Sequence, residues 1–242
     1  MVLIDDNPEM LEVHAQKYKE KYPMIMIKVV LVNFEAAAMP GWTDHIMKEL
    51  GNMAISVLVN AVHGSITMTI SNDDNQGMTQ DSTEEEFIRK SLVINTFPTI
   101  LLTETILPRL AKRYQSVQLR GAVITVSPSI DSRVDKDCKV TWSPTMVLYQ
   151  SIQALTSTFA RTKMVQYSGS SGVDCLSVFP GRIACSDDNG KGLLTAQQCA
   201  TSSIDQLRYG VQVTTGWWWH DLRYALFNRI LPDKWLYRYY KS

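Results

Sequence analysis

Metal or thiol redox chemistry would have to come from four cysteines, Cys138, Cys175, Cys185 and Cys199, and four histidines, His14, His45, His63 and His220. Zinc ribbons and redox dithiols need ligands spaced so that one turn or loop gathers them, as in CxxC. No two cysteines are that close, and each histidine stands alone. His63 has no second His, Cys or carboxylate at metal spacing and reads as a solvated loop histidine. No metal site is expected. Four scattered thiols in a chain this long read as reduced and intracellular.

The charges exclude another class. Lys+Arg and Asp+Glu are both 24, so no whole-protein field attracts a polyanion, and direct nucleic-acid binding is not expected. Asp5 and Asp6 interrupt the first apolar run, so no secretory signal is read. Lys28 breaks the best membrane-span candidate, Met24 to Phe34, below the ~18 apolar residues a span needs.

The elements that must position any site alternate. Val2-Leu3-Ile4 is a short strand, and Asn7-Pro8 starts a charged helix from Glu9 to Tyr22, ended by Pro23. Met24 to Phe34 reads as a buried strand, Trp42 to Leu50 as a helix with Gly51 past its end, and Ile55 to Asn60 as a second buried strand. Residues 64–83 are loop-like. Ser82-Thr83-Glu84-Glu85-Glu86 opens a long helix through a capping box, to about Tyr114. Gly121–Ser127 is a strand, 128–142 is irregular, and a helix runs from Trp142 or Ser143 to about Tyr167. Gly172 to Phe179 is a strand, Ala196 to Tyr209 a helix, Val211–Val213 a short strand and Trp217 to Leu231 an aromatic helix. Continuous apolar strands separated by helices imply βαβ units and a mainly parallel sheet covered on both faces. With no repeat or linker, residues 1–216 read as one α/β domain, with 217–242 as an aromatic and basic C-terminal segment.

Five motifs in order resemble the short-chain dehydrogenase/reductase family, nearest its 17-beta-hydroxysteroid dehydrogenase and very-long-chain 3-oxoacyl-CoA reductase branch. Val57-Leu58-Val59-Asn60-Ala61-Val62 resembles that branch's LVNNV strand end. Asn95 lies thirteen residues before Pro108 in Ile106-Leu107-Pro108-Arg109-Leu110, the family's spacing between its helix asparagine and its LPxM turn. Gly121-Ala122-Val123-Ile124-Thr125-Val126-Ser127 resembles the strand leading to the catalytic serine. Tyr149 stands where the YxxxK tyrosine belongs, and Val178-Phe179-Pro180-Gly181 resembles the PG turn beside the nicotinamide. The resemblance covers nearly the whole chain. It implies a Rossmann-like doubly wound parallel sheet, with Tyr149 and Asn95 at the catalytic positions and Asn60, Pro180 and Gly181 at cofactor positions.

The departures weigh more than the matches. The resemblance begins at the family's second strand, so the first strand and its glycine-rich, pyrophosphate-binding loop are absent from the match. In a 3-2-1-4-5-6 order that strand is central, and its loss leaves the edges near Val2–Ile4 and Ile55–Val59 without their usual partner. The sheet then closes directly, borrows a strand from another chain, or is incomplete because the sequence is a fragment. Gln153 replaces the lysine one helical turn after Tyr149, and a neutral amide supplies no cation to favour tyrosinate. Lys163 lies fourteen residues from Tyr149, about 21 Å along the helix. The serine position falls on Pro128, between Ser127 and Ser129, and a one-residue slip would bring in Ser129. Ala61, His63, Asn33 and Cys185 replace further family residues, while Asp5-Asp6 lies where the family reads the adenosine ribose. Blander roles stand beside these: Asn95 as a helix-turn hydrogen bonder and Tyr149 as a buried, satisfied phenol. Tyr237-Arg238-Tyr239-Tyr240-Lys241 matches YxxxK by letters alone.

Residues 217–242 hold nine of the 22 aromatics and five Lys/Arg against two Asp. That composition fits a lid on the chain's own core, a protein–protein surface or a membrane interface. Two functions are carried. One is a catalytically degenerate dehydrogenase-like subunit of a larger assembly, with no cofactor, contacting other chains through the exposed sheet edge and residues 217–242. The other is an NAD(P)-dependent oxidoreductase of 3-oxoacyl or steroid carbonyls, seen as a truncated gene model. The location expected is intracellular, mitochondrial or on the cytoplasmic side of a membrane.

Overall fold

The computed structural model describes residues 1–62, 84–127, 144–167, 171–180, 194–219 and 221–222. Among these residues six strands and five α-helices alternate: β1 (Val2–Asp5), α1 (Pro8–Lys21), β2 (Lys28–Leu31), α2 (Trp42–Leu50), β3 (Val57–Asn60), α3 (Glu84–Val117), β4 (Gly121–Val126), α4 (Pro144–Tyr167), β5 (Val173–Val178), α5 (Ala196–Leu207) and β6 (Val213–Thr214). A 3₁₀ turn, Phe34–Ala38, precedes α2.

Local chemistry explains most boundaries. Asn7 is extended and accepts the Met10 N–H with its side chain, while Pro8 occupies the first turn of α1. Gly51, at φ +48°, closes α2 by donating its N–H to the Met47 carbonyl. Thr195 and Gln198 form a capping box at the start of α5. The capping box expected at Ser82–Glu86 and the loops at 64–83 and 128–142 lie outside the described residues. α3 continues through Pro98 and Pro108 for 34 residues. Thr96 and Thr105 bond back to the Leu92 and Leu101 carbonyls within it. By length and composition a stretch of α3 would pass as a membrane span, but half of that stretch is buried inside the fold. Leu107 and Leu110 on it are wholly buried in the main core.

The expected long strand from Met24 to Phe34 is corrected to four residues. Met24 and Met26 are 95% and 88% exposed. A strand extends only as far as its partner: β2 pairs Val2↔Lys28 through Asp5↔Leu31, and β1 has nothing further to offer. Asn33 then caps the 3₁₀ turn by accepting the Glu35 N–H at 2.9 Å.

All the pairings are parallel, but they form two sheets: β1-β2, and β3-β4-β5-β6. No strand pairing joins β1 to β3. One apolar core spans both sheets instead, with Val30 and Val32 on one side, Leu58, Val123 and Cys175 on the other, and Leu102, Ile106 and Leu107 of α3 between. A second core packs Cys199 of α5 with Leu194 against Ile124, Leu176 and Val178. The expectation of a sheet covered on both faces holds for β4 and β5 and fails at β2 and β3. Val29, Leu31, Val57 and Val59 are 40%, 51%, 51% and 56% exposed. The segment 217–242 lies almost wholly outside the described residues, apart from 217–219 and 221–222.

Candidate functional site

Parallel strands bring their carboxyl ends to one edge, where α/β folds place their ligands. The register sets Asn60 of β3 opposite Thr125 of β4, and Val126 opposite Val178 of β5. Asn60, Ser127 and Pro180 therefore stand in a row at the ends of three adjacent strands. Gly181, Pro128 and Ser129 lie outside the described residues.

Each polar side chain in this row is already engaged. Asn60 is buried and donates through Nδ2 to Thr103 Oγ1 of α3 at 2.9 Å. Ser127 Oγ is 2.5 Å from Thr156 Oγ1 of α4. The Thr156 hydroxyl donates back to the Ile152 carbonyl at 2.9 Å, so Ser127 is the donor in their shared bond. Its proton is used to tie β4 to α4. Asn95, on α3, donates through Nδ2 to the Ser91 carbonyl at 2.8 Å, one turn back along its own helix.

Tyr149 lies on the first turns of α4, between Leu148 and Ile152, which are buried against Phe87, Ile88 and Leu92 of α3. That packing sets Tyr149's turn beside the turns of α3 that lead to Asn95. Gln153 follows one turn later and is half-buried. Lys163, the lysine of α4, is committed elsewhere, since its ammonium pairs with Glu104 of α3 and donates to Gln166 Oε1 at 3.0 Å. The described polar groups at and behind the strand ends are thus neutral amides and hydroxyls.

Sequence reasoning missed Thr103, Thr156 and Glu104, the groups that engage Asn60, Ser127 and Lys163. Their only signal was a polar residue on an apolar helix, and its partner is set across elements. Ser177, on β5, is the buried side chain without a hydrogen-bond partner among the described residues. No group of three metal-ligating side chains occurs among them either.

The start of α1 does not suit the pyrophosphate of a dinucleotide. A pyrophosphate needs free N–H donors at a helix start. The helix start at the end of β1 lacks an N–H at Pro8, has its Met10 N–H taken by Asn7 Oδ1 at 3.0 Å, and carries Glu9. Partial burial and the neighbouring Asp5 hold the Asp6 carboxyl above the ordinary carboxylate range. An anion there would meet acidic groups on two sides.

No family model and no curated protein sequence matches the chain. Solved structures do match its fold. A 7beta-hydroxysteroid dehydrogenase superposes with a TM-score of 0.69 at 19% identity, covering 100% of this chain and 86% of that one. The bulky-bulky ketone specific alcohol dehydrogenase of Comamonas testosteroni gives 0.63 at 14%, over 95% and 84%. The 3-ketoacyl-(acyl-carrier-protein) reductase of Brucella melitensis, complexed with NADH, gives 0.59 at 14%, over 88% and 84%. These likenesses, with the parallel βαβ order and the row of strand ends, give the chain the Rossmann-like fold of the short-chain dehydrogenases/reductases.

Proposed function

We propose that this chain is a catalytically degenerate dehydrogenase-like protein that works as a structural or interaction subunit of a larger assembly. One observation carries the reading. The position one turn after Tyr149 is Gln153, and the helix's lysine is committed to Glu104 and Gln166. A phenol acts as a general acid/base near neutral pH only when a nearby cation lowers its pKa. The acidic, capped helix start at Asn7–Glu9 supports the same reading, because hydride transfer also needs the carrier held in place. The partners are other protein chains, met through the open sheet edge and residues 217–242. A membrane surface beside that segment fits its aromatics and basic residues, and the location is intracellular, on the mitochondrial or cytoplasmic side of such a surface.

Isothermal titration with NADH and NADPH tests this. The expected result is no heat of binding, together with co-purification of other chains. Micromolar affinity for either nucleotide overturns it.

The likeness to a hydroxysteroid dehydrogenase and a 3-ketoacyl reductase favours a second reading, an NAD(P)-dependent oxidoreductase of 3-oxoacyl or steroid carbonyls. It predicts nucleotide binding and a gain of at least about tenfold in hydride transfer for Gln153→Lys, the scale of one restored acid/base partner. No gain in a nucleotide-binding form would place the defect in the pocket itself.

A further inference from the structure

A groove of about 580 Å³ runs along the polar side of α5 to the turn at Gly216-Trp217. We propose that it binds a neutral polyhydroxyl ligand, a di- or oligosaccharide, with the Trp217 indole as its stacking wall and the polar face of α5 as its hydrogen-bonding wall. The proposal goes beyond the reading above and does not rest on it.

The helix supplies one wall through its period. Cys199 and Ser203 are buried, and Cys199 packs into the second core. Gln197, Thr201 and Asp205 form one stripe of the groove, and Gln198, Ser202 and Gln206 form the next, each at a spacing of four residues. Eight residues of helical rise make each stripe about 12 Å long, room for two sugar rings. Gln197, Thr201, Ser202 and Asp205 have no side-chain hydrogen bond among the described residues. The wall therefore offers amides and hydroxyls, which donate and accept, and one carboxylate, which accepts.

Trp217 supplies the other wall, and the turn beneath is built to hold it. The residue is partly buried against the second core while it lines the groove. Its carbonyl accepts from Thr215 Oγ1 at 3.1 Å and from the Asp221 N–H at 2.9 Å. The Asp221 carboxylate accepts in turn from the Thr215 N–H at 2.6 Å and from Thr214 Oγ1 at 2.9 Å. Gly216, at φ +79°, sits so close to α5 that a Cβ there would lie 2.4 Å from Cys199 Sγ. The turn is seated directly on the helix, so Trp217 and the two stripes keep a fixed separation. A weak polar ligand needs that preorganisation, because ordering the walls on binding would consume its affinity.

The chemistry of the walls selects the ligand. An anion has no seat, because the start of α5 is closed by its own capping box. Thr195 Oγ1 accepts the Gln198 N–H at 3.2 Å, and Gln198 Oε1 accepts the Thr195 N–H at 3.0 Å. Asp205 would repel an anion as well. An apolar ligand would strip water from the two polar stripes without replacing the bonds. A cation would find one exposed carboxylate, worth little in water, and leave the uncharged groups unused. A sugar presents hydroxyls of both hydrogen-bonding senses to the stripes and a C–H face to the aromatic ring.

The test titrates the whole 242-residue chain with maltose and with cellobiose, followed by nuclear magnetic resonance of the Trp217 indole and the α5 amides. Glycine betaine and inorganic phosphate are the charged controls. At least one disaccharide should give saturable shifts confined to α5 and Trp217, with a dissociation constant of about 10 mM or below. Trp217→Ala should weaken binding by about tenfold or more. That variant also opens the second core, so the double variant Gln197→Ala, Thr201→Ala is made beside it. Both of its positions are exposed, the core is untouched, and the loss of two hydrogen bonds should weaken binding by about tenfold. The proposal is overturned if neither sugar gives a saturable shift at about 100 mM, ten times that constant. Sugar binding unchanged in the double variant overturns it too, as does tighter binding of betaine or phosphate than of either sugar.

Discussion

The two sheets of this protein are held by different forces. In β3-β4-β5-β6 the central strands are paired on both edges, and nearly every residue of β4 and β5 is buried. Arg120, just before β4, adds a forked ion pair to Asp174 of β5, with Nε 3.0 Å from Oδ2. In β1-β2 no residue of β1 is fully buried, and on β2 only Val30 is. Among the described residues this smaller sheet is attached to the larger one by side chains meeting over α3 and not by strand pairing. Apolar packing is non-directional, so it can bridge two sheets across an open slot. Backbone hydrogen bonds cannot, because they need an edge at one strand spacing.

The comparison breaks most easily at the shared packing. Leu107→Ala removes a wholly buried side chain from the core common to both sheets and should cost about 3–4 kcal/mol, lowering the denaturant midpoint of both together. If exchange shows β1-β2 opening first while β3–β6 keeps its stability, the two sheets are independent and the shared core is misread.

Alkali acts on the larger sheet. Burial, with Asp174 beside it, pushes the Cys175 thiol up to about 12, and burial also raises Cys199. The unfolded thiol ionises near 9, so between about pH 9 and 12 the folded state holds a proton that the unfolded state has lost. This contribution is complete below pH 9 and falls by about 1.4 kcal/mol per pH unit above it. Cys175→Ala should flatten the decline in alkaline melts; an unchanged slope would show that other groups cause it.

The smallest effect belongs to the smaller sheet. Asn7→Ala deletes the α1 cap and should cost about 1 kcal/mol, seen as faster amide exchange in α1 and β1 with β4 and β5 unchanged. Equal loosening of β5 would show that the two sheets are coupled more tightly than their pairing implies.

Much of the architecture was legible because its signals are local. Asn7-Pro8 sets the start of α1 and Gly51 the end of α2, each through its own backbone geometry. The Gly121–Ser127 run matches β4 to within one residue of its observed end. The Met24–Phe34 strand was overextended because strand length is decided by the partner, and four-residue β1 pairs only four residues of it. Of the candidate site, the residue types at Asn60, Asn95, Tyr149 and Gln153 were visible, and so was a helix-turn bond for Asn95, but not the bond that engages Asn60. Thr103 lies 43 residues from Asn60 and Thr156 lies 29 from Ser127, distances over which no sequence pattern specifies a contact.

The amino-acid sequence by itself determined the alternating α/β order, the absence of a cysteine or histidine pattern for metal, and the neutral amide at position 153. Each follows from residue type and short-range spacing. Only the tertiary structure decided that the six described strands stay as two sheets, that Ser127 gives its proton to Thr156, and that Val57 and Val59 line an open cavity. Those outcomes depend on which edges come within one strand spacing, a long-range condition settled by packing over α3.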